Sequence, residues 1–398
     1  MKQLPLPIVR LRPNAKPQVI RHGFPWVFAN EVVMDRRTKG LSHGGLVVLE
    51  DADRRPLGLG TINPKSKIAV RMLDADIEAQ IDEAWFVARL TRALEHRNCM
   101  YDEPFYRLVH AEADGMPGVI IDRFGDVVVI QPNAAWAERL FDTLVAALVQ
   151  VTGCKTVIKN GTGRARSLEG LEEELLVAMG DAPTGPISVP MNGATYMADV
   201  MGGQKTGLFF DQRPNHAFAA GLAKGGRVLD LFSHVGGFSL AALAAGAESA
   251  VAVDGSAPAL ELAQAGAEAT GVADKFETRQ SDAFDALEAM GKAKERFDVV
   301  ICDPPAFAPS KPALEKGMRA YERVARMAAP LVKEGGYLVL CSCSHAADLK
   351  RFRDASARGI GKGGKRGQLI STGFAGPDHP LLPQLAESGY LKALTFRL

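Results

Sequence analysis

Two hydrophobic rhythms divide the chain. Through residues 1–75 short apolar runs alternate with Gly and Pro, as in LSHGGLVVLEDADRRPLGLGTINPKSKIAVRML. Strands of that length with turn signals between them predict a small β-barrel. From 77 to 96 the residues Ile77, Ile81, Ala84, Trp85 and Ala88 recur near a 3.6-residue period, which predicts a linking helix. The next stretch, RLVHAEADGMPGVIIDRFGDVVVIQP, has apolar runs punctuated by DG, PG and GD, the pattern of a β-meander. There Asp114 and Gly115 read as turn residues and the neighbours Asp122 and Arg123 as an ion pair. Residues 134–151 predict an amphipathic helix, and 155–166 add a basic stretch with two glycines. Residues 76–190 thus read as an α+β module with no catalytic group of its own.

From residue 227 onward strands and helices alternate. In RVLDLFSHVGGFSLAAL (227–243) an apolar run ending in Asp230 predicts a buried parallel strand, the Ala- and Leu-rich run from Ser239 a helix, and Gly236 and Gly237 the turn between them. SAVAVDG predicts a second strand ending at Asp254, followed by a helix over 257–269; FETRQSDAFDAL adds a short strand ending at Asp282. FDVVICDPPAFAPSK, a helix to Val332, YLVLCSCSH, a long basic segment and KALTFRL complete the series. The alternation predicts an α/β domain with a Rossmann-like sheet over residues 191–398. Just before it, VMGGQKTGLFFDQRPNHAF sets Gln204, Lys205, Thr206, Asp211, Gln212 and Arg213 around a Phe pair. That segment either lies over a ligand at the mouth of the domain or forms a plain β-hairpin.

Composition sharpens the picture in three places. With 398 residues and 47% hydrophobic content the chain holds two or three domains with real cores, which excludes a disordered protein. A net charge of +1 gives the whole molecule no general attraction for nucleic acid, so basic surface has to be local. Residues 350–366 carry seven basic side chains against Asp354 alone, with five glycines between Gly359 and Gly367. They read as a flexible basic loop able to follow phosphates, or as a solvated face. Trp26 and Phe28 in the barrel either stack on a base or fill its core. Five cysteines without a CxxC pair favour a reducing cytosol and argue against structural zinc, and no signal peptide or long uncharged apolar run is seen. A soluble, cytoplasmic protein without membrane partners is expected.

The acids at the strand ends narrow the ligand. Asp254, 24 residues after Asp230, can accept from both ribose hydroxyls of a nucleoside, and Asp282 from an adenine amino group. The glycines form one adjacent pair rather than GxGxxG, and no Walker lysine follows, so a nucleoside without phosphate fits best. S-adenosyl-L-methionine is such a ligand.

The chain resembles the large-subunit ribosomal RNA methyltransferase I family of class I methyltransferases, which make 5-methylcytosine. The resemblance is carried by GGQKTGLFFDQR, DLFSHVGGFSL, the DPPAF of residues 303–307, the SCS of 342–344 and the closing DHPLLPQLAESGYLKALTFRL. It implies a PUA-like barrel at 1–75, an α+β middle domain at 76–190 and an S-adenosylmethionine-dependent methyltransferase domain at 191–398. That domain would have a seven-stranded sheet with a reversed last strand, and the family often forms a homodimer. RNA is the implied partner. The cofactor-binding candidates are Gln212 and Arg213; Asp230, Phe232, Ser233, Val235, Gly236 and Gly237; Asp254, Gly255 and Ser256; Asp282 and Ala283; and Asp303.

Carbon 5 of cytosine is too weak a nucleophile to attack a methylsulfonium unaided. A thiolate added at carbon 6 makes carbon 5 enamine-like, and an acid at N3 supports the addition. Cys343 and Asp303 supply those groups just past two strand ends expected to be neighbours. Cys341 and Cys343, two apart, share a face, and only the one beyond the strand reaches substrate; Cys302 reads as core. The base that takes the carbon 5 proton is unassigned, with His345 a candidate by position alone. The alternatives are methylation of a ring or exocyclic nitrogen of guanine or adenine, which needs no thiol, and an RNA-binding protein with an inactive transferase domain.

Overall fold

A computed structural model describes residues 6–203 and 206–398 of the chain; Gln204 and Lys205 lie outside the described residues. The chain divides into two compact units, one of residues 1–182 with 377–388 and one of 183–376 with 389–398. Residues 377–388, which the sequence alone runs together with the stretch from 191 to 398, thus lie with the first unit.

The first unit contains two five-stranded sheets. In one, the order is Ile8–Arg10, Gly45–Glu50, Pro56–Ile62, Ile68–Asp74, Trp26–Phe28. A bridge between Leu11 and Val32 joins its two edges, so the sheet closes around Val9, Val27, Leu49 and Val70. The other sheet runs from Phe105–His110 to Leu175–Met179 and packs under the helices Glu83–Asn98 and Phe141–Thr152, around Phe86, Trp136 and Leu144.

Several local expectations change here, each for a physical reason. The linking helix starts at Glu83, because the Asp82 side chain caps it by accepting from the Trp85 amide; Ile77 and Ile81 precede it. Asp122 pairs with Arg107 rather than Arg123, since adjacent strand residues point to opposite faces. In the basic stretch, Lys159 and Arg166 are buried, and both donate to Glu138. Trp26 is half-buried, its indole donating to Glu112 at 2.8 Å, whereas Phe28 is exposed. Asp114 does more than turn the chain: it takes a bidentate pair from the fully buried Arg97, whose guanidinium also donates to the Asp378 carbonyl.

The second unit opens with a hairpin, Ile187–Met191 and Ala194–Ala198. Its turn residues Asn192 and Gly193 both have positive φ, the conformation two-residue hairpins require. The hairpin therefore precedes residues 200–218, whose described residues form no strand and run into helix α1 (Arg213–Leu222). The main sheet has strands β1 (Arg227–Leu231), β2 (Ser249–Asp254), β3 (Phe276–Gln280), β4 (Phe297–Cys302), β5 (Val332–Ser342), β6 (Gln368–Gly373) and β7 (Lys392–Arg397). Their order is β3-β2-β1-β4-β5-β7-β6. The first five are parallel and β7 runs against both its neighbours. Helices α2 (Gly237–Ala244), α3 (Ala257–Thr270), α4 (Ala283–Lys292), α5 (Leu314–Ala328) and α6 (Leu349–Lys362) fill the connections. Among the described residues no helix is long and apolar enough to cross a membrane.

The basic segment at 350–366 is not a flexible loop. Most of it is α6, capped by Asp348 and burying Phe352 and Ile360 in the core shared with α5. Arg351 donates to Glu315, and Arg358 and Lys362 both donate to Glu322, so three of the cations are paired across the two helices. Gly359 makes the contact possible. A Cβ built there would stand 2.4 Å from the Glu322 carbonyl oxygen and 2.6 Å from the Ala325 Cβ.

Gly359→Ala is therefore expected to lower stability, because overpacking costs about 1–3 kcal/mol and outweighs the roughly 1 kcal/mol that Ala gains in helix propensity. Urea unfolding should show a lower midpoint; an unchanged or higher midpoint would contradict this packing.

Candidate functional site

The candidate groups gather where the parallel strands end, because every βα turn of such a sheet opens on the same edge. Residues 232–237 turn the chain from β1 into α2 under unusual backbone constraint: Phe232, His234 and Gly236 all have positive φ. For Phe232 that conformation is disfavoured and persists only where surrounding contacts enforce it. Asp254 provides one such contact: its carboxylate accepts from the His234 amide at 2.8 Å and from the Ser256 amide at 2.9 Å, tying the turn after β1 to that after β2. The Ser233 amide donates to the Val253 carbonyl across the same gap. Gly237 has no space for a side chain, since a Cβ would meet the His216 ring at 2.7 Å.

Asp230 is fully buried at the end of β1 and accepts from both the Ser239 amide (3.0 Å) and hydroxyl (2.7 Å). Burial pushes its carboxyl up to about 6. Its Oδ1, and the buried Ser233 hydroxyl nearby in sequence, have no hydrogen-bond partner among the described residues. Unpaired polar atoms inside a strained glycine turn suit a ligand that brings polar groups of its own. Val235 is buried; Gly255 and Asp282 are exposed. Asp282 caps α4, accepting from the Phe284 and Asp285 amides through one oxygen, and Ala283 is buried behind it.

On the other side of β1, the amide of Gln212 donates to Asp303 Oδ2 at 2.9 Å. Gln212 is held in that orientation by Asn215, whose amide donates to Gln212 Oε1 at 2.7 Å and to the Phe374 carbonyl at 3.1 Å. Arg213 begins α1 with its guanidinium 5.7 Å from the Phe210 ring.

Cys343 is the first residue past β5, and β5 pairs in parallel with β4, which ends one residue before Asp303. The Cys343 thiol lies 4.0 Å from the Pro304 carbonyl oxygen, so it sits against the DPP turn. The flanking serines hold it there. Ser342 donates to the Tyr321 hydroxyl at 2.9 Å; the Ser344 hydroxyl lies 2.8 Å from the same atom and accepts from the Ala308 amide at 3.0 Å. Cys302 and Cys341 are buried, and burial pushes both thiols far up, which makes them inert. His345 is exposed.

Sequence reading missed Asn215, Tyr321 and Lys392. Asn215 lies three residues after Gln212, one helical turn away, a spacing visible once α1 is assigned. The other two meet the site only through tertiary packing.

The chain is similar in sequence to methyltransferases. Residues 177–396 match the S-adenosylmethionine-dependent methyltransferase family and residues 9–75 a PUA-like domain. A relative from Shewanella denitrificans, named ribosomal RNA large subunit methyltransferase I, is 35% identical over 98% of this chain and 99% of its own. One of the same name from Alteromonas mediterranea is 34% identical over 97% of each. A solved structure from Streptococcus mutans, described as a SAM-dependent methyltransferase, superposes with a TM-score of 0.83 at 21% identity, covering 99% of this chain and 100% of that one. A methyltransferase structure complexed with SAH gives 0.83 at 22% identity, covering 98% and 99%. At these identities the two structures speak to the fold.

The raised Asp230 carboxyl gives a signed pH dependence. The folded state keeps its proton up to about 6 while the unfolded chain loses it near the ordinary value of 3.8, so the stability it contributes fades as pH rises through that window. Asp230→Asn lacks this titration. In urea unfolding of the ligand-free protein, the variant should gain on the wild type between pH 4.5 and pH 7.5; an unchanged difference would contradict the assignment.

Proposed function

The chain belongs to the ribosomal RNA large subunit methyltransferase I family of S-adenosylmethionine-dependent methyltransferases, and on that premise we propose that it methylates carbon 5 of a cytosine in large-subunit ribosomal RNA through a cysteine adduct. S-adenosyl-L-methionine is the cofactor. The observation that carries the reading is the Cys343 thiol against the DPP turn, one residue from Asp303, on two adjacent parallel strands.

The turn at 232–237 and Asp230 would hold the methionine part of the cofactor, Asp254 its ribose, and Asp282 with Ala283 its adenine. Phe232, Ser233, Val235, Gly255 and Ser256 line the same turns, and Gln212, Arg213 and Asp303 close the side toward the substrate. The bound cofactor supplies an electrophilic methyl group.

The Cys343 thiolate adds to carbon 6, forming a carbon–sulfur bond and pushing the electron pair of the 5,6 double bond onto the ring, where carbon 5 becomes nucleophilic. Asp303 hydrogen-bonds or protonates N3, so the ring accepts that charge. Gln212, held by Asn215, fixes the Asp303 carboxyl just past the end of β4. After methylation, a base takes the carbon 5 proton, and the electron pair of that C–H bond re-forms the double bond and expels the thiolate. Carbons 5 and 6 must be exposed for this chemistry, so the cytosine is unpaired or flipped out. The paired cations of α6 make a phosphate-tracking loop there a poor account of RNA binding; the PUA-like barrel is the better candidate.

Cys343→Ala should reduce methyl transfer to unmodified large-subunit ribosomal RNA by on the order of 10³-fold or more, while calorimetry shows cofactor binding within about twofold of the wild type. Retained transfer would remove the thiol from the mechanism and leave nitrogen methylation in its place.

A further inference from the structure

Lys392 is a buried cation that the chemistry above does not use. It begins β7 opposite Ser342 of β5, and only 4% of it is exposed. Its ammonium reaches under the turn that follows Cys343, donating to the Ser344 carbonyl at 2.7 Å and the Ala347 carbonyl at 2.8 Å. Among the described residues no carboxylate pairs with it; the two acidic groups whose charge acts on it are Cys343 and Asp348.

Burying an ammonium without a counter-ion is costly, and here it draws the lysine down to about 8. A neutral donor could satisfy two carbonyls at lower cost. A charge kept under such conditions is explained by a negative group beside it that exists at one stage of the chemistry. We propose that Lys392 is a positioning residue for Cys343, pinning the turn that carries the thiol and setting beside it the positive charge that favours its thiolate. The proposal rests on the reading of Cys343 as the nucleophile. Other titratable groups near the thiol include Asp303, next to Pro304, and Tyr321 and Asp348. Asp303 and Asp348, when ionised, oppose a thiolate, and the Lys392 ammonium under the same turn favours it.

The test reads thiol reactivity rather than methyl transfer. The full ligand-free chain is alkylated with iodoacetamide from pH 6 to 10, and residues 343 and 99 are quantified by mass spectrometry, the exposed Cys99 serving as internal reference. In the wild type Cys343 should titrate below Cys99. Lys392→Met should move the Cys343 midpoint up by about one pH unit, roughly tenfold less thiolate at pH 7, with Cys99 unmoved, and Lys392→Arg should restore most of the difference. A wild-type Cys343 midpoint at or above that of Cys99 overturns the proposal, whether or not the Met variant folds. So does an unmoved midpoint in a folded Lys392→Met protein. A low midpoint together with full methyl transfer by Cys343→Ala would leave the lysine effect standing and remove the nucleophile instead.

Discussion

The Ser344 hydroxyl is where two neighbouring strand ends are tied together. It accepts from the Ala308 amide, in the loop that follows DPP, and shares a hydrogen bond with Tyr321, which also takes one from Ser342. All of these groups are buried, so breaking any one bond strands a polar atom away from water. The consequence is geometric. Serines two apart turn inward toward α5, and the cysteine between them is left facing the DPP turn. The SCS triplet is thus a clamp with the thiol at its centre, and the Ser344–Ala308 hydrogen bond joins the turn that bears Cys343 to the loop that follows Asp303.

The turns that follow β1 and β2 are held by a comparable device of a different kind. There the constraint is backbone strain at Phe232 and His234, and Asp254 opposes it by accepting from the His234 amide. A carboxylate in that position ties the turn after β1 to the turn after β2, which makes the two strand ends one unit. Between the two stands β1: the Asp303 amide donates to the carbonyl of its last residue, Leu231, and the amide of Ser233, in the turn that follows, donates to that of Val253. The turns at the ends of these three parallel strands are therefore held in register with one another by backbone and carboxylate hydrogen bonds.

The parts of this arrangement legible in the sequence are those governed by local periodicity. The strands ending at Leu231, Asp254 and Cys302 announce themselves as apolar runs because parallel strands are buried on both faces, and the Gly236–Gly237 pair announces a turn. β6 was invisible: it is an edge strand with Leu369 and Ile370 exposed, so nothing in its composition records a partner. The basic stretch at 350–366 misled for the opposite reason. Its glycines suggest flexibility, yet Gly359 is there to let α6 approach α5, a requirement set by a carbonyl 37 residues earlier, at Glu322. Lys392 could not be placed from the sequence, since only the reversed pairing of β7 with β5 brings it beneath the cysteine turn.

In the proposed mechanism the sulfur of Cys343 bonds to carbon 6 of a cytosine before carbon 5 takes the methyl group, and the bond breaks only when carbon 5 loses its proton. RNA carrying 5-fluorocytosine at the target position tests it most directly, because fluorine cannot leave as the carbon 5 proton does and the adduct persists. With S-adenosylmethionine present, the account predicts a denaturation-resistant protein–RNA species whose cross-linked peptide maps to Cys343. Turnover of that RNA without any covalent species, or a cross-link at another cysteine, would contradict it.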